Sequence, residues 1–161
     1  SLPTDSSMIG LTPTDTRELL ETNLDIVVRL LAGETVSAKT ATHQLYDAKL
    51  QLAPYTDGGI PLAVAAVASP TGARLAGKHG IGLLSIGATL NIEGFDALAY
   101  HWGIVEERAK AFGTRVDRSN WSLVGPMHIA ETDEQARADV KFGIEPWFRY
   151  FQKVAAFPQM T

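Results

Sequence analysis

The most informative stretch of the sequence is Ile60-Pro61-Leu62-Ala63-Val64-Ala65-Ala66-Val67, which leads directly into Ala68-Ser69-Pro70-Thr71-Gly72. Polar residues do not alternate with apolar ones in the first part, so we expect a strand buried on both faces, as in a parallel sheet. Ser-Pro-Thr-Gly indicates a turn. A helix is expected from about Ala73 to Lys78, so the whole stretch predicts a βα unit.

The same order of strand and helix occurs twice more downstream. Residues 80–86 predict a second short buried strand, and residues 95–112 a long helix that ends at Gly113. Residues 121–129 predict a third strand, and Thr132 then begins a helix that runs to about Phe142. Three βα units over residues 60–145 predict an α/β fold with a parallel sheet.

The remaining segments are predicted from their local composition. Residues 1–14 are rich in Pro, Gly, Ser and Thr and predict a loop, which ends where Thr12 and Pro13 signal a helix that runs to Gly33. Residues 35–52 predict two or three small strands. The aromatic tail, residues 145–157, is expected to be helical and to serve core or interface packing.

Composition limits the classes of function. The chain has 161 residues, 45% of them hydrophobic and 20% charged, as expected of one soluble globular domain. Its net charge of −4 argues against nucleic acid as a partner. It has no cysteine, which excludes disulfides and thiolate metal sites. No apolar run reaches the about 18 residues that span a bilayer and no secretory signal is present, so we expect a cytoplasmic protein without a membrane partner.

An anion site is predicted where the first of these strands meets its helix. The first backbone N–H groups of a helix have no partner within the helix and attract phosphate. Ser69 and Thr71 could add hydroxyl donors, and Gly72 would allow close approach of a ligand. Alternatively, Ser69 simply caps the helix.

Two charged residues upstream are further candidates. Arg17 could bind a phosphate through both of its terminal nitrogens, or lie solvated on the surface. Asp5 could face a ligand, or make a local turn with its own backbone.

The four histidines do not have metal-binding spacing. His101 is expected on the surface of the long helix. His128 lies near the end of the third strand, where active sites of parallel α/β folds gather, so it is the candidate catalytic residue. No motif of a serine hydrolase, P-loop nucleotide hydrolase or Rossmann dehydrogenase occurs.

A set of short motifs in fixed order resembles the luciferase-like monooxygenases, and the resemblance covers essentially the whole chain. The motifs are Ser1-Leu2-Pro3-Thr4-Asp5, Met8-Ile9-Gly10, residues 30–36, residues 50–55, Ala68-Ser69-Pro70-Thr71-Gly72, residues 75–80, residues 82–85, Asn120-Trp121 and residues 126–132.

The resemblance implies a (β/α)8 TIM-type barrel, of which this single-domain segment supplies about strands five to seven with their helices. Residues 1–14 would be the loop after strand four. Family members bind reduced FMN, or a deazaflavin in some branches, and use O2 to oxidise small organic substrates such as aldehydes or terpenes. A flavin reductase as the source of reduced flavin and a homo-oligomeric state are also implied.

The resemblance also assigns residues to the cofactor. Residues 69–72 and an arginine at the Arg17 position would grip the flavin phosphate. The strand that ends in Ala66 and Val67 would pass near the cofactor, Ser85 would lie near the flavin ring, and the loop that holds Asp5 would approach it.

The sequence departs from the family pattern in what it omits. The histidine that follows strand two of the family and the Arg-Gly at the end of strand four are absent. Three strands cannot close a barrel and would leave open edges, so we expect either a fragment or a chain that pairs with other chains. Besides the flavin monooxygenase, two alternatives stay open: a non-catalytic oligomerising half-barrel that retains at most a phosphate loop, and a different barrel enzyme with a phosphate-bearing substrate.

Overall fold

A computed structural model describes residues 3–67, 69–86 and 92–155. Its helices are α1 (Pro3–Met8), α2 (Pro13–Leu31), α3 (Thr71–His79), α4 (Ile92–Phe112), α5 (Asp133–Val140) and α6 (Ile144–Tyr150). Its strands are β1 (Val36–Lys39), β2 (Gln44–Ala48), β3 (Ala63–Ala66), β4 (Gly82–Ile86) and β5 (Trp121–Val124). A 3-10 turn, Arg118–Asn120, precedes β5, and a π-helical turn, Phe151–Ala155, follows α6.

Within the described residues, the main sheet has three parallel strands in the order β3-β4-β5. Ala63 pairs with Gly82, and Leu83 pairs with Trp121. Helix α3 follows β3, and α4 follows β4. The predicted α/β class with parallel strands and alternating helices is therefore confirmed, whereas membership of a closed barrel stays a prediction.

The hydrophobic core lies between one face of this sheet and the helices α3 and α4. Alternate strand residues point to the same face of a sheet, and the buried ones contact helix residues in one cluster. The cluster consists of Val64, Ala66, Ala73, Leu75, Ala76, Leu83, Trp102 and Val105. Trp102 of α4 stacks on Trp121 of β5 with 5.1 Å between ring centroids.

The other face of the sheet is open. Ala63 and Ala65 of β3 are exposed although they alternate with buried residues. Val124 at the end of β5 is 45% exposed. A barrel would fill this inner face with side chains from its other strands.

The segments before the main sheet agree in part with expectation. Strands β1 and β2 lie where two or three small strands were predicted, and the structure shows them as an antiparallel pair. The predicted loop over residues 1–14 is wrong at its centre, because Pro3–Met8 forms a helix. Of this stretch, residues 1 and 2 lie outside the described residues, as does Ala68 of the later motif.

The predicted strands are longer than the observed ones. The run 60–67 contributes only Ala63–Ala66, and 121–129 contributes only Trp121–Val124. Ile60 and Ile129, beyond the strand ends, are 55% and 81% exposed. The tail is helical as expected from Ile144 to Tyr150, and residues 156–157 of that prediction lie outside the described part.

None of the described helices is both long enough and apolar enough to cross a membrane.

Candidate functional site

A cavity of about 140 Å³ lies between α2 and α3 and brings together two predicted site residues, Arg17 and Thr71. The two residues are far apart in sequence, and each belongs to the first two turns of its helix. The full lining is Arg17, Glu18, Glu21, Thr71, Arg74, Leu75, Lys78 and Arg108.

Arg17 is positioned by the start of α2. The Thr12 N–H donates to Asp15 Oδ2 at 2.8 Å, and the Asp15 N–H donates back to Thr12 Oγ1 at 3.2 Å. This reciprocal capping box fixes where the helix begins, which confirms the predicted start at Thr12. The hydrogen bonds from the Thr12 side chain and backbone also lower the pKa of Asp15.

The start of α3 has no side-chain cap. Pro70 occupies the cap position in a helical conformation and makes no side-chain capping hydrogen bond to the helix. The alternative in which Ser69 caps this helix is therefore wrong, because proline at the cap offers no oxygen and Ser69 lies one residue too early. Ser69 is exposed, and Thr71 is half-buried.

Gly72 brings α3 close to β3. A Cβ added at Gly72 would lie 2.5 Å from the Ala65 carbonyl oxygen and 2.9 Å from the Ala66 Cβ. Ala66 is 4% exposed and belongs to the core on the helix side of the sheet. The absent side chain of Gly72 thus makes room for the strand, and Ala66 presents its methyl group to the helix.

Three basic residues of the cavity were missed by sequence reasoning. Arg74 and Lys78 lie on the face of α3 that also holds Thr71, a placement that the helical spacing of 71, 74 and 78 indicates. Lys78 forms an ion pair with Asp25 of α2 at 3.2 Å. Arg108 of α4 lies over the Phe112 ring at 4.7 Å, and its Nε is buried without a hydrogen-bond partner. Nothing in the sequence places Arg108 beside α3.

The remaining residues assigned to the cofactor lie on different faces. Ser85 is 2% exposed, and its Oγ accepts a hydrogen bond from Trp121 Nε1 at 2.9 Å. Its side chain therefore faces the helix layer. Val67, at the carboxyl end of β3, is half-buried and packs in a second hydrophobic cluster together with Ile86. Asp5 is exposed in the first turn of α1 and does not line the cavity with Arg17.

His128 lies in a different place from Arg17 and Thr71. Its Nε2 is 2.9 Å from Asp139 Oδ2, and both side chains are well exposed. Hydrogen bonds from His128 and then from Gln135 lower the pKa of Asp139. A cavity of about 350 Å³ beside His128 is lined mainly by apolar residues of α5 and α6, among them Val140 and Phe148.

Two other histidines lie in the interior. His101 is 1% exposed, so its predicted surface position is wrong: it lies on the face of α4 that packs inward. His79 ends α3, and burial together with the charge of Lys78 lowers its pKa, which Asp25 and Glu21 partly oppose. Among the residues that the structure describes, no group of three or more His, Asp or Glu could hold a metal ion.

Comparison with known proteins identifies the family. The family model described as luciferase-like monooxygenase matches residues 2–160. The chain belongs to the luciferase-like monooxygenase family. The resemblance found in the sequence is thereby confirmed.

Relatives of this luciferase-like chain are monooxygenases. It is 48% identical over 153 residues to limonene 1,2-monooxygenase of Rhodococcus erythropolis, an alignment that covers 95% of this chain and 39% of the relative. It is 38% identical over 152 residues to 4-hydroxyprotoasukamycin monooxygenase of Streptomyces nodosus subsp. asukaensis. This alignment covers 93% of this chain and 40% of the relative. The chain thus spans about two fifths of the length of these relatives.

Solved structures support the same fold for the luciferase-like chain. The monooxygenase RslO1 from Streptomyces bottropensis superposes with a TM-score of 0.77 at 17% identity, over 97% of this chain and 46% of that one. A second structure is the oxygenating constituent of 3,6-diketocamphane monooxygenase from Pseudomonas putida, a type II Baeyer–Villiger enzyme in complex with FMN. It superposes with a TM-score of 0.67 at 24% identity, over 95% of this chain and 44% of that one.

Proposed function

We propose that this chain carries the cofactor-phosphate site of a monooxygenase that uses reduced FMN and O2 to oxidise a small organic substrate. The observation that carries the proposal is the cavity in which Arg17 and Thr71 meet, beside a helix start without a side-chain cap. The monooxygenase relatives support the type of reaction. The FMN bound to the Pseudomonas relative supports the choice of FMN over a deazaflavin.

The donors around this cavity fit a phosphate group. The free N–H groups at the start of α3 and the helix dipole favour an anion there, and the Thr71 hydroxyl is a further donor. Arg17 and Arg74 would supply charge and paired N–H donors. Cationic side chains outnumber the carboxylates of Glu18 and Glu21 in the described lining.

The part that these residues play is binding and orientation. Reduced flavin, when bound, supplies the electrons for the activation of O2. The chain's own residues would hold the phosphate end at the start of α3, so that the rest of the cofactor extends along the carboxyl ends of β3 and β4. The carboxyl edge is where parallel α/β sheets bind their ligands. Ser69, Val67, Ser85 and Asp5 remain predicted neighbours of the cofactor, and His128 remains the predicted catalytic candidate.

We also propose the cellular setting that the family resemblance implies. A flavin reductase would supply the reduced cofactor, and the enzyme would act as a homo-oligomer in the cytoplasm.

A variant of Arg17 tests the phosphate site. In the full-length protein, Arg17→Gln should weaken FMN binding by about ten- to a hundredfold, because it removes a charge-assisted contact to phosphate. Arg29→Gln is the matched control on the same helix, since Arg29 forms an exposed ion pair with Glu34 at 2.8 Å outside the cavity. Binding is measured by quenching of flavin fluorescence. Equal affinities for the Arg17 and Arg29 variants and the wild type would contradict the proposed site.

A second candidate function is a non-catalytic, oligomerising half-barrel. The open inner face of the sheet favours it, because Ala63, Ala65 and Val124 offer apolar surface to another chain. Oxygen consumption distinguishes the two: the enzyme couples it to substrate oxidation in the presence of reduced FMN, and the half-barrel does not.

A further inference from the structure

Three aromatic side chains near the end of the described chain form a compact group. Trp147 and Phe148 belong to α6, and Phe151 begins the π-helical turn. The Trp147 ring centroid is 5.2 Å from that of Phe148 and 4.5 Å from that of Phe151. We refer to these three residues as the aromatic group.

The aromatic group lies at the carboxyl edge of the main sheet. It packs in the same hydrophobic cluster as Val67 and Ile86. Val67 is the residue immediately after the end of β3, and Ile86 is the last residue of β4. Because Leu83 and Ser85 face the helix layer, the alternation of a strand directs Ile86 to the opposite, open face. The aromatic group therefore belongs to the open face of the sheet, near the carboxyl ends of β3 and β4.

The other two tryptophans lie on the opposite side. Trp102 is 5% exposed and stacks on Trp121 within the core between sheet and helices. Trp121 also donates its indole N–H to Ser85 Oγ. Trp147 is thus the tryptophan on the side of the sheet where a ligand would lie, and it is only partly buried.

A bound cofactor would extend from the cavity that holds Arg17 and Thr71 to the aromatic group. Thr71 at the start of α3 lies four residues after Val67 in the sequence, and neighbouring strands are about 4.8 Å apart. A flat ligand whose phosphate lies at Thr71 and Arg17 would cross the ends of β3 and β4 and reach the aromatic group. Flat, rigid aromatic faces suit the stacking of a planar ring.

We infer that Trp147 is a binding residue for the ring system of the cofactor, held in place by Phe148 and Phe151. This inference rests on the proposed function, because it takes the phosphate site as the anchor. It assigns a role to the aromatic tail, for which the sequence had indicated only packing.

Replacement of Trp147 tests the inference in the full-length protein. Trp147→Leu should weaken FMN binding by about tenfold, as expected for the loss of one aromatic stacking contact. Competition of inorganic phosphate against FMN should give the same phosphate affinity as in the wild type, and the quenching of bound flavin fluorescence should decrease. Trp147→Phe keeps an aromatic face and should stay within about twofold of the wild type. Tyr100→Leu is the control, since it removes a 59% exposed aromatic side chain on α4.

The outcomes separate the inference from the function on which it rests. Unchanged FMN affinity and unchanged flavin quenching in Trp147→Leu would overturn the inference and leave the proposed phosphate site intact. Equal losses of FMN and phosphate affinity would also overturn it, since they would indicate a general role in the fold. A wild type that binds neither FMN nor phosphate would overturn the proposed function itself.

Discussion

Gly72 is the residue on which the geometry of the candidate site depends most directly. It is buried at the start of α3, where the helix passes over the end of β3. The neighbours of an added Cβ are the Ala65 carbonyl oxygen and the Ala66 methyl group, and neither can rotate away. The position of the free N–H groups at the start of the helix therefore depends on the absence of a side chain.

Gly72→Ala should destabilise the protein by about 1–3 kcal/mol, because overpacking forces the helix away from the strand. The measurement is the free energy of unfolding in urea. Gly103→Ala is the matched control: it lies within α4, where an added Cβ meets nothing within 4 Å. In an exposed helix interior this change should stabilise by about 0.5–1 kcal/mol. A loss of stability in Gly103→Ala as large as in Gly72→Ala would contradict this explanation.

Single residues were predictable from sequence where the cause is local. The cap at Thr12 follows from a signal within four residues, and the structure confirms it. The alternative prediction that Ser69 caps α3 was wrong, because Pro70 occupies the cap position. His101 was wrongly placed on the surface although it adjoins Trp102 and Val105, which belong to the buried face of α4. The approach of Arg108 to α3 depends on how the two helices pack, which the sequence does not show.

At the level of elements, α2 and α3 form the two walls of the cavity. Each helix contributes a basic side chain to the lining of the cavity. Each also carries one predicted site residue near its start, Arg17 in α2 and Thr71 in α3. The capping box of Thr12 and Asp15 holds the first turn of α2. The stability of that turn therefore supports the position of Arg17.

Thr12→Ala should lower the free energy of unfolding by about 1 kcal/mol, because the Asp15 N–H loses its side-chain acceptor. The denaturant midpoint is the quantity to compare. Thr14→Ala, an exposed replacement within the first turn of the same helix, should leave stability within about 0.5 kcal/mol. If both variants have the same midpoint as the wild type, the capping box does not contribute to stability.

The type and order of the elements followed from hydrophobic runs, but their lengths did not. The continuous apolar run 60–67 predicted β3 correctly in place, and residues 121–129 predicted β5. Both strands proved shorter, because pairing with β4 covers only part of each predicted stretch. Met127 and Ile129 lie in the predicted strand but beyond the end of β5, and they are 84% and 81% exposed. Helix α1 was missed because Pro, Ser and Thr in residues 3–8 indicate a loop as readily as a short helix.

At the level of the whole molecule, the described sheet has a packed face and an open face. The packed face forms the core with α3 and α4. On the open face, Trp147 packs in one hydrophobic cluster with residues at the ends of β3 and β4. The chain spans about two fifths of the length of its monooxygenase relatives. Identity to those relatives over nearly the whole chain established the family, which no single motif of the sequence could do.

The central claim is that this chain binds the phosphate of FMN, and a comparison of FMN with riboflavin tests it most directly. Both ligands carry the same ring system, and only FMN carries the phosphate. Titration of the full-length protein, followed by flavin fluorescence, should give a dissociation constant for FMN at least about a hundredfold lower than for riboflavin, as expected of several charge-assisted contacts. Equal affinities for the two ligands, or binding of neither, would contradict the claim.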